Sequence, residues 1–600
     1  MTIKLSDYVF QFVVQQDVKH VFMVPGGGAM HLNDSAGHCP GLEFICYLHE
    51  QAAAMAAESY AKLNENLGVT LVTTGPGSTN AITGTAGAWL DSTPCLFISG
   101  QVKRSDMIGN TGVRQMGVQE LDIVSIVKPI TKYAVTVMDP DSIRYHLEKA
   151  VYFARTGRPG PVWIDIPLDV QASHIDPALL KGFDPLEIPS AQSGQELSSQ
   201  VARTIDLLNA SERPVLLIGN GVRLANARKE MLELIQRLGI PVLLTWLAHD
   251  LLPETYDLLV GRPGPVAPRG SNFALQNSDL LLSIGARLDM VLTGYAHDRF
   301  ARAAKKVMVD IDQTEISKMA TPIQVPVCAD ARLFIQELLS QSHRLLPHQR
   351  DEWMARCHEW KTKYPLVLPE HRAQKLVSTY VLGDTLSQVL QPDDVIVSGS
   401  SGAGIEIFLL VFKVKEGQRV LVTTALGAMG NGLPASIGAC LASGQRRTIL
   451  VDGDGSFQLN IQELETLRRL NLPIKVFYLN NQGYSSIRTS QSRYFGRLTG
   501  ADASSGLTLP DLGRVVRAYK LPFRRIENQS HLAEKIQKVL DIPGPVICEL
   551  LMPPDEPREP SMASAQKPDG SMVSKPLEDL WPFLDRQEFN ANMIIPPIDE

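Results

Sequence analysis

From residue 448 to 481 the chain reads TILVDGDGSFQLNIQELETLRRLNLPIKVFYLNN, and that order of residues leaves little choice of fold. A β-branched run over 448–451 meets the turn Gly453-Asp454-Gly455, a helical stretch follows, and a second apolar run over 474–479 ends in Asn480-Asn481. Strand, helix and strand in this order form a right-handed crossover, which brings both turns to the carboxyl edge of one parallel sheet. Asp454 offers a carboxylate, Asn481 an amide oxygen and Gly483 a backbone carbonyl. Three hard oxygens suit a Mg²⁺ ion that keeps its other positions for phosphate. Gly453 and Gly455 let the backbone approach a diphosphate closely. Either half alone reads as a tight turn or a polar strand end; the pair, one βαβ unit apart, is far more specific.

Elsewhere short apolar runs alternate with helical patterns. The 600 residues exceed what a single core holds, so several domains are expected. The reading is α/β, with three doubly wound parallel-sheet domains at 1–185, 200–342 and 376–552 and a Pro-rich tail at 553–600. Strands are expected at 20–24, 42–47, 69–73 and 94–99, then at 214–218, 280–284 and 306–309. The Ser/Gln-rich stretch 188–200 reads as a linker, and 343–375 as a helical connection. The helix that starts at Glu50 is rich in alanine, which allows close packing against another helix, as at a buried subunit interface. Leu577, Leu580, Trp581, Phe583, Leu584 and Phe589 give the tail apolar anchors, so it is expected to drape over the domains or the active site. No internal repeat is visible.

A net charge of −7 argues against nucleic acid or an anionic membrane as partner. The seven cysteines are scattered without C-x-x-C spacing, which argues against a zinc site or disulfide framework and suits a reducing cytoplasm. No apolar run long enough for a secretion signal or a membrane span is visible.

The GDG and NN pair resembles the fingerprint of thiamine-diphosphate enzymes, and the resemblance narrows to the acetolactate-synthase-like branch through GPGSTNAITGTAGAWLDSTPCLFISGQV and LGAMGNGLPASIGA. It implies thiamine diphosphate and Mg²⁺ as cofactors, with Asp454, Asn481 and Gly483 as metal ligands. Glu50, in HEQ, matches the family's glutamate that activates the cofactor's pyrimidine. Gly27, Gly427, Met429, Gly453, Gly455, Ser456 and Tyr484 are implied to line the cofactor, Met429 as the bulky residue that bends it. Gln119 is implied to orient a 2-keto acid carbonyl; Gly28, Val118, Lys132 and Ser490 complete the implied substrate pocket. The resemblance also implies a homodimer or homotetramer, with each site shared between one chain's first domain and another chain's third.

Two departures bear on substrate. The family's tryptophan is replaced by Ser490 and its phenylalanine by Val118, and both changes enlarge the acceptor side. The tail segment KPDGSMVSKPLEDLWPFLDRQEF, with VPGGGAMHLNDS near the start, resembles the carboligases of deoxysugar and lipopolysaccharide pathways. The expected reaction is decarboxylation of pyruvate or a related 2-keto acid, with acyl transfer to a bulky ketone, aldehyde or nucleotide-linked keto sugar. Acetolactate synthase proper, a 2-keto-acid decarboxylase and a pyruvate oxidase are the alternatives. GARLDMVLTG keeps Gly285 and Arg287 of the branch's FAD segment, so FAD is expected in a structural role, although GNG at 219–221 serves as a bare turn as often as a ligand loop.

Overall fold

The computed structural model describes residues 2–188, 194–347, 349–566 and 572–598. Three six-stranded sheets, parallel throughout, form its frame. The first contains β1 (His20–Met23), β2 (Glu43–Cys46), β3 (Gly68–Val72), β4 (Cys95–Gln101), β5 (Tyr133–Thr136) and β6 (Val162–Pro167). Their spatial order is β2-β1-β3-β4-β6-β5. The central sheet contains β7 (Pro214–Ile218), β8 (Val242–Leu244), β9 (Leu259–Gly261), β10 (Leu280–Ile284), β11 (Lys305–Asp310) and β12 (Val325–Cys328). It grows outward on both sides of β7, in the order β9-β8-β7-β10-β11-β12, which is the doubly wound pattern.

The third sheet contains β13 (Val395–Ser398), β14 (Arg419–Leu421), β15 (Thr448–Gly453), β16 (Ile474–Asn480), β17 (Phe523–Ile526) and β18 (Val546–Leu551). Its order, β14-β13-β15-β16-β18-β17, repeats that of the first sheet. The repeat is one of connection and handedness rather than of residues, so no sequence period betrays it. Strands covered on both faces read as near-continuous apolar runs, and a polar residue within them is buried with the rest. β4, β6 and β15 accordingly bury every residue.

The first and third sheets belong to one compact unit, and the central sheet with the tail to another. Inside the first unit the Glu50–Asn64 helix is buried at every residue from Ala52 to Ala61. Its small residues meet the Gly432–Ala442 helix of the same chain, which corrects the expectation that they serve a subunit interface. A methyl group added at Gly438 would stand 2.1 Å from the Ala56 carbonyl oxygen, and Ser59 Oγ donates to the Ala435 carbonyl at 2.8 Å. Backbone approach this close needs glycine on one side.

The expected linker is partly wrong. Residues 189–193 lie outside the described residues, but Gly194–Ala210 is a helix that buries Val201, Ile205 and Leu208 against the central sheet. From Glu556 onward the tail packs within the central unit. Leu577, Leu580 and Phe589 are buried, whereas Trp581 and Phe583 are exposed. Asn272 Nδ2 donates to the Leu577 carbonyl at 2.7 Å, Arg269 Nη1 to that of Leu580 at 2.9 Å, and Arg302 pairs with Glu578 at 2.5 Å. Residues 567–571, inside the tail segment quoted for the resemblance, lie outside the described residues. Among the described residues no helix is long and apolar enough to cross a membrane.

Candidate functional site

β15 ends in Gly453, and Asp454 opens a helical turn directly after it. The Asp454 side chain is buried between the turn and the end of β16. Its Oδ1 accepts the Gly455 amide at 2.7 Å and its Oδ2 the Gly483 amide at 3.0 Å. Burial pushes its carboxyl up to about 6, against the pull of those amides and of the nearby Arg488. The Asn481 amide faces the Gly483 carbonyl at 2.7 Å and Asp454 Oδ1 at 3.1 Å. With its nitrogen inward it donates to both while its oxygen accepts from Ser485 Oγ at 3.2 Å. With its oxygen inward, that oxygen stands 2.7 Å and 3.1 Å from the other two, close to an octahedron's edge of about 3.0 Å for ligands about 2.1 Å from the ion. The donor set therefore fits Mg²⁺.

The neighbouring residues shape a cradle. A methyl group at Gly455 would stand 2.2 Å from Tyr484 Cε1, so the Tyr484 ring lies across the turn. Ser456 Oγ accepts the Gly430 amide at 3.2 Å, and Asn460 Nδ2 donates to the Gly430 carbonyl at 2.8 Å. These bonds fix the loop carrying Gly427, which has φ +61°, and Met429, which is 39% exposed. Nothing stands within 4 Å of a methyl group added at Gly427, so its flank is open to a ligand.

A second group of candidates gathers at the carboxyl edge of the first sheet. Gly28 follows β1; a methyl group there would stand 2.8 Å from Thr74 Cγ2, whereas Gly27 has open space beside it. Glu50 begins its helix after β2, with His49 as N-cap. Its Oε2 accepts from Asn80 Nδ2 at 2.9 Å, and a methyl group at Gly77 would stand 3.5 Å from Oε1. Oε2 is thus oriented by Asn80, and Oε1 lies beside the side-chain-free face of Gly77. Gln119 is exposed and left-handed, with φ +63°. Its carbonyl lies 2.3 Å from where a side chain at Gly75 would begin, and it lies 3.4 Å from Thr74 Oγ1. Val118 beside it is 85% exposed.

Lys132 does not join this group. It precedes β5, its amide donates to the Pro161 carbonyl just before β6, and strands of a parallel sheet start at the same edge. It therefore lies at the opposite edge from Gln119. Its ammonium donates to the Thr156 carbonyl at 2.5 Å, and burial lowers its pKa to about 8. Ser490 lies on the Ser485–Phe495 helix that follows the metal loop, half-buried, with Oγ donating to the Ile487 carbonyl at 3.1 Å. Among the described residues no hydrogen bond or ion pair joins Glu50 to Asp454, Asn481 or Gly483.

The flavin segment is less accommodating. The Gly219 amide donates to the Ile284 carbonyl and the Gly221 amide to that of Gly285, both at 2.9 Å. A methyl group at Gly219 would stand 2.1 Å from the Gly285 oxygen. These glycines serve the close approach of two turns, and their amides are not available to a diphosphate. A flavin here would have to be held by Arg287, 3.6 Å from Asp289, and its neighbours.

Four supporting residues escaped the sequence reading. Glu463 is fully buried and accepts the Leu48 amide at 3.1 Å. Gln101 Nε2 donates to the Leu121 carbonyl at 2.8 Å and to Asp165 at 3.2 Å. Glu120 accepts the amides of Met116 and Gly117, each at 3.0 Å, and so closes the loop that carries Val118 and Gln119. Arg488 binds the backbone of the metal loop. No signal in the sequence marks them beyond a polar residue near a motif; the partners of Glu463 and Gln101 are distant in the chain, and those of Glu120 and Arg488 are backbone groups that no side-chain pattern marks.

Comparison with known proteins agrees with this geometry. Models of the thiamine pyrophosphate enzyme family match in three places, the N-terminal TPP binding domain at residues 3–126, the central domain at 201–338 and the C-terminal TPP binding domain at 404–550. The acetolactate synthase large subunit of Cyanidium caldarium is 33% identical over 569 residues, covering 92% of this chain and 94% of the relative. Acetolactate synthase 3, chloroplastic, of Brassica napus is 33% identical over 570 residues, covering 92% and 84%. Acetolactate synthase, chloroplastic, of Arabidopsis thaliana is 32% identical over 572 residues, covering 92% and 82%. With the buried acid and its amide partner at the edge of the third sheet, and such likeness along nearly its whole length, the chain belongs to the thiamine-pyrophosphate-dependent enzymes, on their acetolactate-synthase-like branch.

Proposed function

We propose that the protein decarboxylates pyruvate or a related 2-keto acid and joins the acyl unit to a carbonyl acceptor larger than a second keto acid. Thiamine diphosphate, when bound, supplies the nucleophilic carbon and the electron sink for this chemistry. Asp454, Asn481 and Gly483 would hold Mg²⁺ against its diphosphate, and the open flanks at Gly27 and Gly427 leave room for the cofactor. Glu50, with Oε2 fixed by Asn80, has its other oxygen free to hold a proton at the cofactor's pyrimidine nitrogen. Gln119 presents a donor at the first sheet's edge.

The observation that carries the acceptor reading is Ser490. Its hydroxyl turns back onto its own helix, so nothing of indole size stands at this position. The same helix ends in exposed Arg493, Tyr494 and Phe495, with Arg493 over the Tyr494 ring at 5.6 Å. No acidic residue occurs from 466 to 501. Such a surface favours an acceptor that carries phosphate, such as a nucleotide-linked keto sugar. Acetolactate synthesis, the activity in the relatives' names, is the second reading.

The reading includes a homodimer or homotetramer with shared sites. Leu48 beside Glu50 is 58% exposed, Met116 and Val118 beside Gln119 are 53% and 85% exposed, and Leu459 beside Gly430 is 48% exposed. Apolar groups clustered at site segments call for cover by a second copy. All seven cysteines are free, which suits a reducing compartment such as the cytoplasm. No step depends on a flavin.

The test is incubation of the protein with thiamine diphosphate, Mg²⁺, pyruvate and a panel of ketones, with products identified by mass spectrometry. Acyl adducts of a bulky ketone are expected, and Glu50→Gln should cut their formation by orders of magnitude. Acetolactate alone, free aldehyde alone, or oxygen uptake would overturn the reading.

A further inference from the structure

The metal loop has an unusual backbone. Gln482 and Gly483 both have positive φ, +62° and +128°, and a residue other than glycine in such a conformation persists only where its surroundings impose it. The Gln482 amide donates to Asn480 Oδ1 at 3.2 Å and the Gly483 amide to Asp454 Oδ2 at 3.0 Å, while the loop's carbonyls are held by one side chain. Arg488 is 5% exposed. Its Nη2 donates to the Asn481 carbonyl at 2.8 Å and also to that of Pro554, and its Nη1 donates to the Gln482 carbonyl at 3.1 Å. Its Nε pairs with Asp555 Oδ1 at 3.2 Å. A methyl group at Gly483 would stand 3.2 Å from Nη1, so the guanidinium also packs along the loop.

We propose that Arg488 is the positioning residue of the metal site. It holds the Asn481 and Gln482 peptide carbonyls turned away from Asp454, so that the Asn481 side chain and the Gly483 carbonyl face it. The inference rests on the reading of Asp454, Asn481 and Gly483 as Mg²⁺ ligands. Arg488 itself does not touch the ion. A rigid planar fork suits this task, because it fixes two consecutive carbonyls at once, which a lysine ammonium, a single point charge, does not. Two residues before Ser490 on the same helix, Arg488 also ties the metal loop to the candidate acceptor pocket. Through Pro554 and Asp555 it ties the loop to the chain just beyond β18.

Loss of an outer support of a metal ligand weakens metal binding about 10- to 100-fold. The test is a Mg²⁺ titration of the full chain with thiamine diphosphate, followed by the metal-dependent rise in Tm and by intrinsic fluorescence. Arg488→Lys should raise the Mg²⁺ concentration at half-saturation at least about tenfold, with turnover restored at saturating Mg²⁺. Asp555→Ala, a change at an exposed carboxylate, should shift it the same way by less. A lowered metal-free Tm with unchanged half-saturation in both variants would overturn the proposal. A full Mg²⁺ response in Asp454→Asn would overturn the metal site itself, whatever Arg488 does.

Discussion

The Glu463 carboxylate accepts the Leu48 amide at 3.1 Å, two residues ahead of Glu50 and across a chain separation of more than four hundred residues. Arg469 Nη2 adds a bond to the Cys46 carbonyl at 2.7 Å. The helical run that starts at Asp454 thus grips, in the same chain, the loop that leads to the candidate activating acid. If sites are shared between chains, this grip links the metal of one site to the Glu50 of the other.

Glu463 has a cost that depends on pH. Burial pushes its carboxyl up to about 7 from 4.5, while hydrogen bonds from Thr466 and the Leu48 amide pull the other way. Between those values the folded chain keeps a proton that the unfolded chain has lost, so this group's contribution to stability falls as pH rises through the window and is level above it. Glu463→Gln cannot ionise. Its Tm relative to the unaltered protein should therefore be more favourable at pH 8 than at pH 5.5, read by thermal denaturation in the absence of cofactor.

Asp454 gives the opposite sign for the metal. With its carboxyl near 6 through burial, a proton competes with Mg²⁺ below that pH. Mg²⁺ affinity, followed by calorimetry with thiamine diphosphate present, should fall about tenfold for each unit of pH below 6 if one proton is displaced. Asp454→Asn should bind so weakly that no such dependence is measurable.

How much of this was legible beforehand follows from where the information lies. The limits of β7 and β10 could be read directly, because buried parallel strands are unbroken apolar runs such as PVLLI and LLLSI. Asp454 and Asn481 were legible because a crossover fixes which turns meet. The Gly194–Ala210 helix was missed because its polar start hides the helical spacing of Val201, Ile205 and Leu208. Lys132 was placed with Gln119 by resemblance, and only strand direction puts it at the other edge. Glu463 and Arg488 could not be read, since their roles lie in bonds to backbone that sequence does not localise.

The small-residue contact between the two central helices gives a direct test of packing. A methyl group at Gly438 meets a backbone oxygen at 2.1 Å, not a movable side chain. Gly438→Ala should therefore destabilise the protein by about 1–3 kcal/mol through overpacking, despite alanine's better helix propensity. Denaturant unfolding measures it. Gly444→Ala, with nothing within 4 Å but φ +70°, should cost about 1 kcal/mol through backbone strain alone.

Ser490 is where the choice of acceptor should be decided. Replacing it with tryptophan fills the volume that separates this chain from the branch it resembles, on a helix anchored by Arg488 and half-exposed at this turn. A pocket that loses that volume rejects large ligands by overlap while still admitting small ones. Ser490→Trp should lower kcat/KM for a bulky ketone about a hundredfold or more, a few kcal/mol of lost transition-state binding, and leave carbon dioxide release from pyruvate nearly unchanged. Competition between a bulky ketone and pyruvate as acceptors measures the ratio directly. If the ratio is unmoved, residue 490 does not face the acceptor, and acetolactate synthesis becomes the better reading of the site.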